Sequence, residues 1–163
     1  RKILKFNEKT TDYIEKRKSE MNLPVDYIAV HIRRGDKIVS REMKELGLSL
    51  YIDAVKEKKH ISRNVFIATD DSSVKDELKS ILVAEGFNVY CNTAVTQTGF
   101  DESLFNTKDK KSRYIDTLNM LLDMDILIHS SFFIGTYTSN VSRIVPLYVG
   151  FGKSLSLDDE WKL

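Results

Sequence analysis

Four short runs of largely apolar residues, alternating with stretches of helical periodicity, constrain this chain more than any other feature. They are Tyr27–Ile32, Val65–Thr69, Phe87–Tyr90 and Phe132–Thr136. Runs of four to six such residues match strands buried on both faces and are too short for a core helix. Helical spacing falls between them. Tyr13, Ile14, Arg17 and Met21 share a face over residues 7–21, with Pro24 just beyond. Leu50, Tyr51, Ala54 and Val55 do so over 48–58, and Val74, Leu78, Ile81 and Leu82 over the segment ending at residue 85. Asp70 or Asp71 caps that third segment and Gly86 stops it. Residues 112–128 read as a strongly apolar helix, and another starts at Ser139 and must end or kink at Pro146. The polar stretch 92–111 reads as one long loop.

Strands separated by helices give an α/β domain with a mostly parallel sheet. With 163 residues, 42% of them hydrophobic, the chain makes one domain with a real core. Ligands of such sheets sit beyond the carboxyl ends of the strands. Three features fall on that rim: Arg33-Arg34-Gly35-Asp36-Lys37, Thr69-Asp70-Asp71, and Thr136-Tyr137-Thr138-Ser139-Asn140.

The net charge of +1 removes the bulk attraction that drives nucleic-acid binding and leaves room for a local anion pocket. No run approaches the roughly 20 apolar residues of a membrane span. The N-terminal Arg1-Lys2-Ile3-Leu4-Lys5 has no signal-peptide apolar core, and the chain starts without Met, so a piece of a longer protein is expected. Cys91 is the single cysteine and forms no internal disulfide. That favours a reducing compartment and sets a cytoplasmic location as the expectation, with a piece of a secretory-pathway protein as the alternative.

Arginine presents a planar fork that matches phosphate oxygens. Adjacent residues of an extended chain point oppositely, so Arg33 and Arg34 reach one ligand only where the strand has ended. Gly35 can supply the turn, Asp36 can orient one arginine and Lys37 can add a second positive charge. A solvated turn with surface ion pairs is the bland alternative. Ser139 or Thr138 reads as a helix cap or as part of an anion site, and Arg143 can point back to the anion or pair with a carboxylate. Asp123 sits in an apolar helix and needs a partner if buried. His31 alone reads as a structural histidine. Neither a Walker A nor a GxGxxG pattern occurs, which speaks against a P-loop enzyme or a dinucleotide dehydrogenase.

Taken together, these residues resemble the α1,6-fucosyltransferase superfamily, which includes the N-glycan core and bacterial nodulation enzymes. The match lies in three donor-site motifs. They are H-x-R-R-x-D-K at His31 to Lys37, A-T-D-D at Ala68 to Asp71, and a segment from Leu122-Asp123 through Phe132, Thr136, Thr138, Ser139 and Arg143. The resemblance implies a GT-B glycosyltransferase whose C-terminal half, a three-layer Rossmann-like domain, holds GDP-fucose. By that carry-over, Arg33 and Arg34 contact the diphosphate, with Ser139 beside Arg33, and His31 and Asp123 contact guanine. Asp36 and Lys37 shape the pocket. It further implies metal-independent inverting transfer to a glycan acceptor, held largely by an N-terminal domain beyond these residues. The family pattern places a glutamate four residues after the motif lysine as the base. Here that position is Arg41 and Glu42 follows, so either Glu42 substitutes, the base differs, or the domain binds donor without that chemistry. A non-catalytic nucleotide-sugar module and a related transferase with another activated sugar are the competing readings.

Overall fold

A computed structural model describes residues 5–41 and 44–160, apart from the side chains of Lys37 and Val39. Strands β1 (Ile28–Ile32), β2 (Asn64–Thr69), β3 (Asn88–Cys91), β4 (Phe132–Gly135) and β5 (Ser154–Ser156) form the sheet among these residues. Their order is β3-β2-β1-β4-β5, and every pairing is parallel. The helices are α1 (Glu8–Met21), α2 (Asp36–Val39), α3 (Leu48–Glu57), α4 (Ser72–Ala84), α5 (Glu102–Thr107), α6 (Lys110–Ile128), α7 (Asn140–Ile144) and α8 (Pro146–Val149).

The two-residue alternation of the strands sorts the core into two layers. Ile28, Val30 and Ile32 of β1 join Val65 and Ile67 of β2 against Tyr51, Ala54 and Val55 of α3 and Leu78 and Leu82 of α4. Ala29 of β1, Phe66 and Ala68 of β2 and Phe133 of β4 face the other way. They pack against Ile14 of α1 and Leu122, Ile126 and Leu127 of α6. The α/β, three-layer expectation therefore holds.

Local chemistry explains the element ends. Asn7 caps α1 by accepting from the Thr10 N–H, and Asn22 ends it in the left-handed region. Asp71, rather than Asp70, caps α4 by accepting from the Ser73 and Val74 N–H groups. Pro146 ends α7 and opens α8 at a position where its missing N–H costs nothing.

Three elements depart from the expectation. The stretch 92–111 is not one loop, because α5 lies within it and α6, capped by Asp109, starts at Lys110, two residues before the apolar pattern. One and a half turns show no readable period. Strand β5 is a three-residue edge whose half-buried residues carry little alternation. The four-residue α2 follows directly from the Gly35 turn.

Parallel order reverses at β1, since β2 lies on one side of it and β4 on the other. The crevice beyond the carboxyl ends of β1 and β4 is therefore the natural ligand position. Leu122 is fully buried between α6 and the sheet. Leu122→Ala is expected to cost about 2–5 kcal/mol, measured by denaturant unfolding.

Candidate functional site

The alternation that builds the core continues one step past the strands and builds the site. His31 stands opposite Ala68 in the β1–β2 register. Two residues on, Arg33 and Asp70 meet, with Nη1 3.0 Å from Oδ2. Arg33 follows Ala29 and His31 onto the α6 face, and Asp70 follows Phe66 and Ala68 there.

Arg33 is held from three sides. Asp70 takes one end of the fork, Asp36 takes Nη2 at 2.7 Å, and the Phe100 ring lies 4.9 Å under the guanidinium carbon. Asp70 also accepts from the Arg34 N–H at 2.7 Å and the Phe100 N–H at 2.9 Å. The same loops join directly, since the Asp36 N–H donates to the Phe100 carbonyl at 2.9 Å. This closeness needs glycine. Gly35 has φ +67, and a Cβ there would lie 2.3 Å from the Phe100 carbonyl oxygen; a Cβ on Gly99 would lie 2.6 Å from the Gly35 Cα.

Arg34 has the parity of Ile28, Val30 and Ile32 and turns to the α3 side. Its Nη2 donates to the Leu46 carbonyl at 2.8 Å and its Nε lies 3.6 Å from Glu45. It does not line the cavity that Arg33 enters, because consecutive residues still alternate at the strand end.

That cavity has a volume of about 580 Å³ and lies between the strand ends and α6. Arg33, Asp70, Thr138, Ser139, His31, Asn119 and Asp123 give it a polar lining, and Met120, Met124, Leu127 and Val141 an apolar one. The residues singled out in the sequence at 31, 33, 123, 138 and 139 thus share one space. Asp36 lies behind Arg33 as its partner. Arg143 is half-buried in the last turn of α7 and is not among the lining residues. The Lys37 side chain and all of Glu42 lie outside the described residues.

Ser139 is buried at the start of α7, yet its hydroxyl makes no capping bond, which leaves it for the cavity. The loop before it is anchored by Asp158, which accepts from the Tyr137 and Thr138 N–H groups and the Thr138 and Ser156 hydroxyls. Burial raises the Asp158 carboxyl, but these bonds outweigh it and hold the group below the usual range.

His31 Nδ1 lies 2.7 Å from the buried Ser142 hydroxyl. Burial and the nearby Arg33 push its pKa down to about 3, so the imidazole is neutral. Asp123 goes the other way. Burial raises its carboxyl to about 7, opposed only by a hydrogen bond from Asn92.

Phe100, Asn92 and Asp158 were missed by reasoning from sequence, and Asp70, marked there on the rim and in the A-T-D-D motif, was not marked as a partner of Arg33. Asp70 was legible in principle, because register plus alternation sets it across from Arg33. Phe100, Asn92 and Asp158 come from loops with no period to read.

Gly35→Ala is expected to destabilise the fold by about 2–4 kcal/mol in denaturant unfolding, since strained φ and a backbone clash coincide. Asp123 gives a pH signature. Between an unfolded pKa near 4 and the folded value about 7, the native state holds the extra proton, so stability falls as pH rises through that window. The thermal stability of Asp123→Asn relative to wild type should therefore grow from pH 4 to 7 and level off above, as measured by calorimetry.

The family model for alpha-(1,6)-fucosyltransferase N- and catalytic domains matches residues 1–147. An alpha-(1,6)-fucosyltransferase of Caenorhabditis elegans is 23% identical over 155 residues, covering 87% of this chain and 25% of that protein. The solved fucosyltransferase NodZ from Bradyrhizobium aligns with a TM-score of 0.61 at 21% identity, over 91% of this chain and 44% of that one. POFUT1 in complex with GDP-fucose aligns with a TM-score of 0.61 at 15% identity, over 98% of this chain and 48% of that one. The structural likenesses establish the shared fold, and this chain spans about a quarter of the curated relative and under half of each solved one. With the family model matched over most of its length, the chain belongs to the alpha-(1,6)-fucosyltransferase family.

Proposed function

We propose that the cavity binds GDP-fucose and that this domain is the donor half of an enzyme transferring fucose to a glycan acceptor. One observation carries the reading: Arg33 and Ser139 share a single space with His31 and Asp123. A cation and a hydroxyl suit a diphosphate, and a carboxylate suits the paired N–H donors of guanine. NodZ soaked with GDP-fucose and POFUT1 with GDP-fucose are structures of the same fold, which supports this choice of donor.

In this reading Arg33 is preorganised. Its Nη2 donates to Asp36 and an ion pair ties its Nη1 to Asp70, and other N–H donors of the fork serve phosphate oxygens. The charge count asks for help, because one arginine between two carboxylates is net negative. Lys37, next to Asp36, supplies the second positive charge. As the bond to fucose breaks, negative charge grows on the GDP leaving group, and fixed cations stabilise that charge more than the ground state. Transfer is then inverting and independent of metal, with an acceptor-binding domain completing the site. Glu42 takes the role of base toward the acceptor hydroxyl.

A donor-binding module without transfer is the second reading. It is favoured by Arg41, which stands where the family pattern expects the glutamate. Fucose release or transfer from GDP-fucose by the full-length protein would exclude it.

Thermal unfolding with GDP, GDP-fucose and UDP tests the donor. At a concentration a hundredfold above Kd the linkage is about 2.7 kcal/mol, which raises Tm by several degrees. GDP and GDP-fucose should give that rise, UDP should not, and Arg33→Ala should abolish it while remaining folded. Equal protection by UDP, or none by GDP, would overturn the reading.

A further inference from the structure

Asn92 follows β3 and is 1% exposed, yet no step above uses it. Its orientation is determined. The side-chain oxygen accepts from the Ala94 N–H at 3.1 Å, which leaves the NH2 group turned toward α6. There Nδ2 lies 3.3 Å from Asp123 Oδ1 and 3.5 Å from Asn119 Oδ1. Asn119 is pinned in turn by the Tyr13 hydroxyl of α1, which donates to the same oxygen at 2.9 Å. A chain of hydrogen bonds thus runs from the outer helix through two amides to the carboxylate in the cavity wall.

We propose that Asn92 is a positioning residue for base recognition, its amide N–H holding the Asp123 carboxylate in the orientation that accepts the paired N–H donors of a guanine edge. The inference rests on the donor reading above. An ionised carboxylate has about four acceptor sites, so one bond to Asn92 leaves the others for a ligand. A neutral amide does this without adding a cation that would compete with the base. It also bonds best to the ionised form, which is the form that accepts from guanine.

The electrostatic surroundings leave this role to Asn92. The titratable and charged groups sharing the cavity with Asp123 are His31 on β1, Arg33 and Asp70 on the strand-end loops, and Asp116 on α6 itself. His31 is neutral, and Arg33 is bound by Asp36 and Asp70. From α1, Tyr13 ends on Asn119. Burial works against the charged carboxylate and the Asn92 bond works for it.

The test is the pH profile of GDP affinity for the 163-residue chain from pH 6 to 9, with Asp123 titrated in parallel by carboxyl 13C NMR without ligand. Asn92→Asp keeps an oxygen for the Ala94 N–H and replaces the donor with an acid, so it guards against a fold lost in Asn92→Ala. In wild type, affinity should rise with pH through about 7. In both variants the midpoint should move up, by at least one unit in Asn92→Asp, which is about fivefold weaker binding near pH 7. The loss should shrink toward pH 9, and the Asp123 titration should move with it. If folded variants bind GDP as wild type does, or weaker by one factor at every pH with the Asp123 titration unmoved, the positioning role is overturned alone. If wild type itself does not bind GDP, the donor reading fails and takes this inference with it.

Discussion

The contact between Arg33 and Asp70 is the constraint on which the rest of the site depends. It extends the β1–β2 register past the last hydrogen-bonded pair, so the rigidity of the central sheet is carried into the loops. One carboxylate then organises three chain segments, because Asp70 bonds the Arg33 fork and the backbone N–H groups of Arg34 and Phe100. Removing it would release an arginine and two loop ends together. The Gly35–Gly99 approach allows that closeness, and Phe100 closes the face of the guanidinium.

The cavity lining is of two chemical kinds, and the fold assigns them to different elements. Strand-end loops carry Arg33, Asp70 and Ser139, where backbone turns and charges are at hand. Helix α6 carries Asp123 and the methionines, where a long apolar face meets the sheet. The raised carboxyl of Asp123 and the lowered imidazole of His31 both follow from the same desolvation. A wall with so little formal charge of its own can discriminate a ligand by hydrogen-bond pattern, because any unmatched polar edge would be left unpaired.

Much of this was legible before any coordinates. The strand runs Tyr27–Ile32 and Val65–Thr69 are visible because both faces are buried and the whole run is apolar. The helices at 7–21, 48–58 and 112–128 are visible because one face is. Elements with fewer than two turns or one half-buried edge, α5 and β5, carry no period and stayed hidden. The site divides in the same way. His31, Arg33, Asp123, Thr138 and Ser139 were marked by their chemistry at strand ends or in an apolar helix. Arg34 has the same chemistry as Arg33, and only the direction of its side chain separates them.

The sequence by itself determined the layered α/β architecture, the rim on which a ligand sits and the residue types that meet there, because alternation and helical spacing are properties of the chain. Tertiary structure alone decided which arginine enters the cavity, that Asp70 joins Asp36 in holding it, and which amide turns toward Asp123. Those choices depend on strand register and on loops that cross more than 25 residues of sequence to touch. Local propensity carries no information about either.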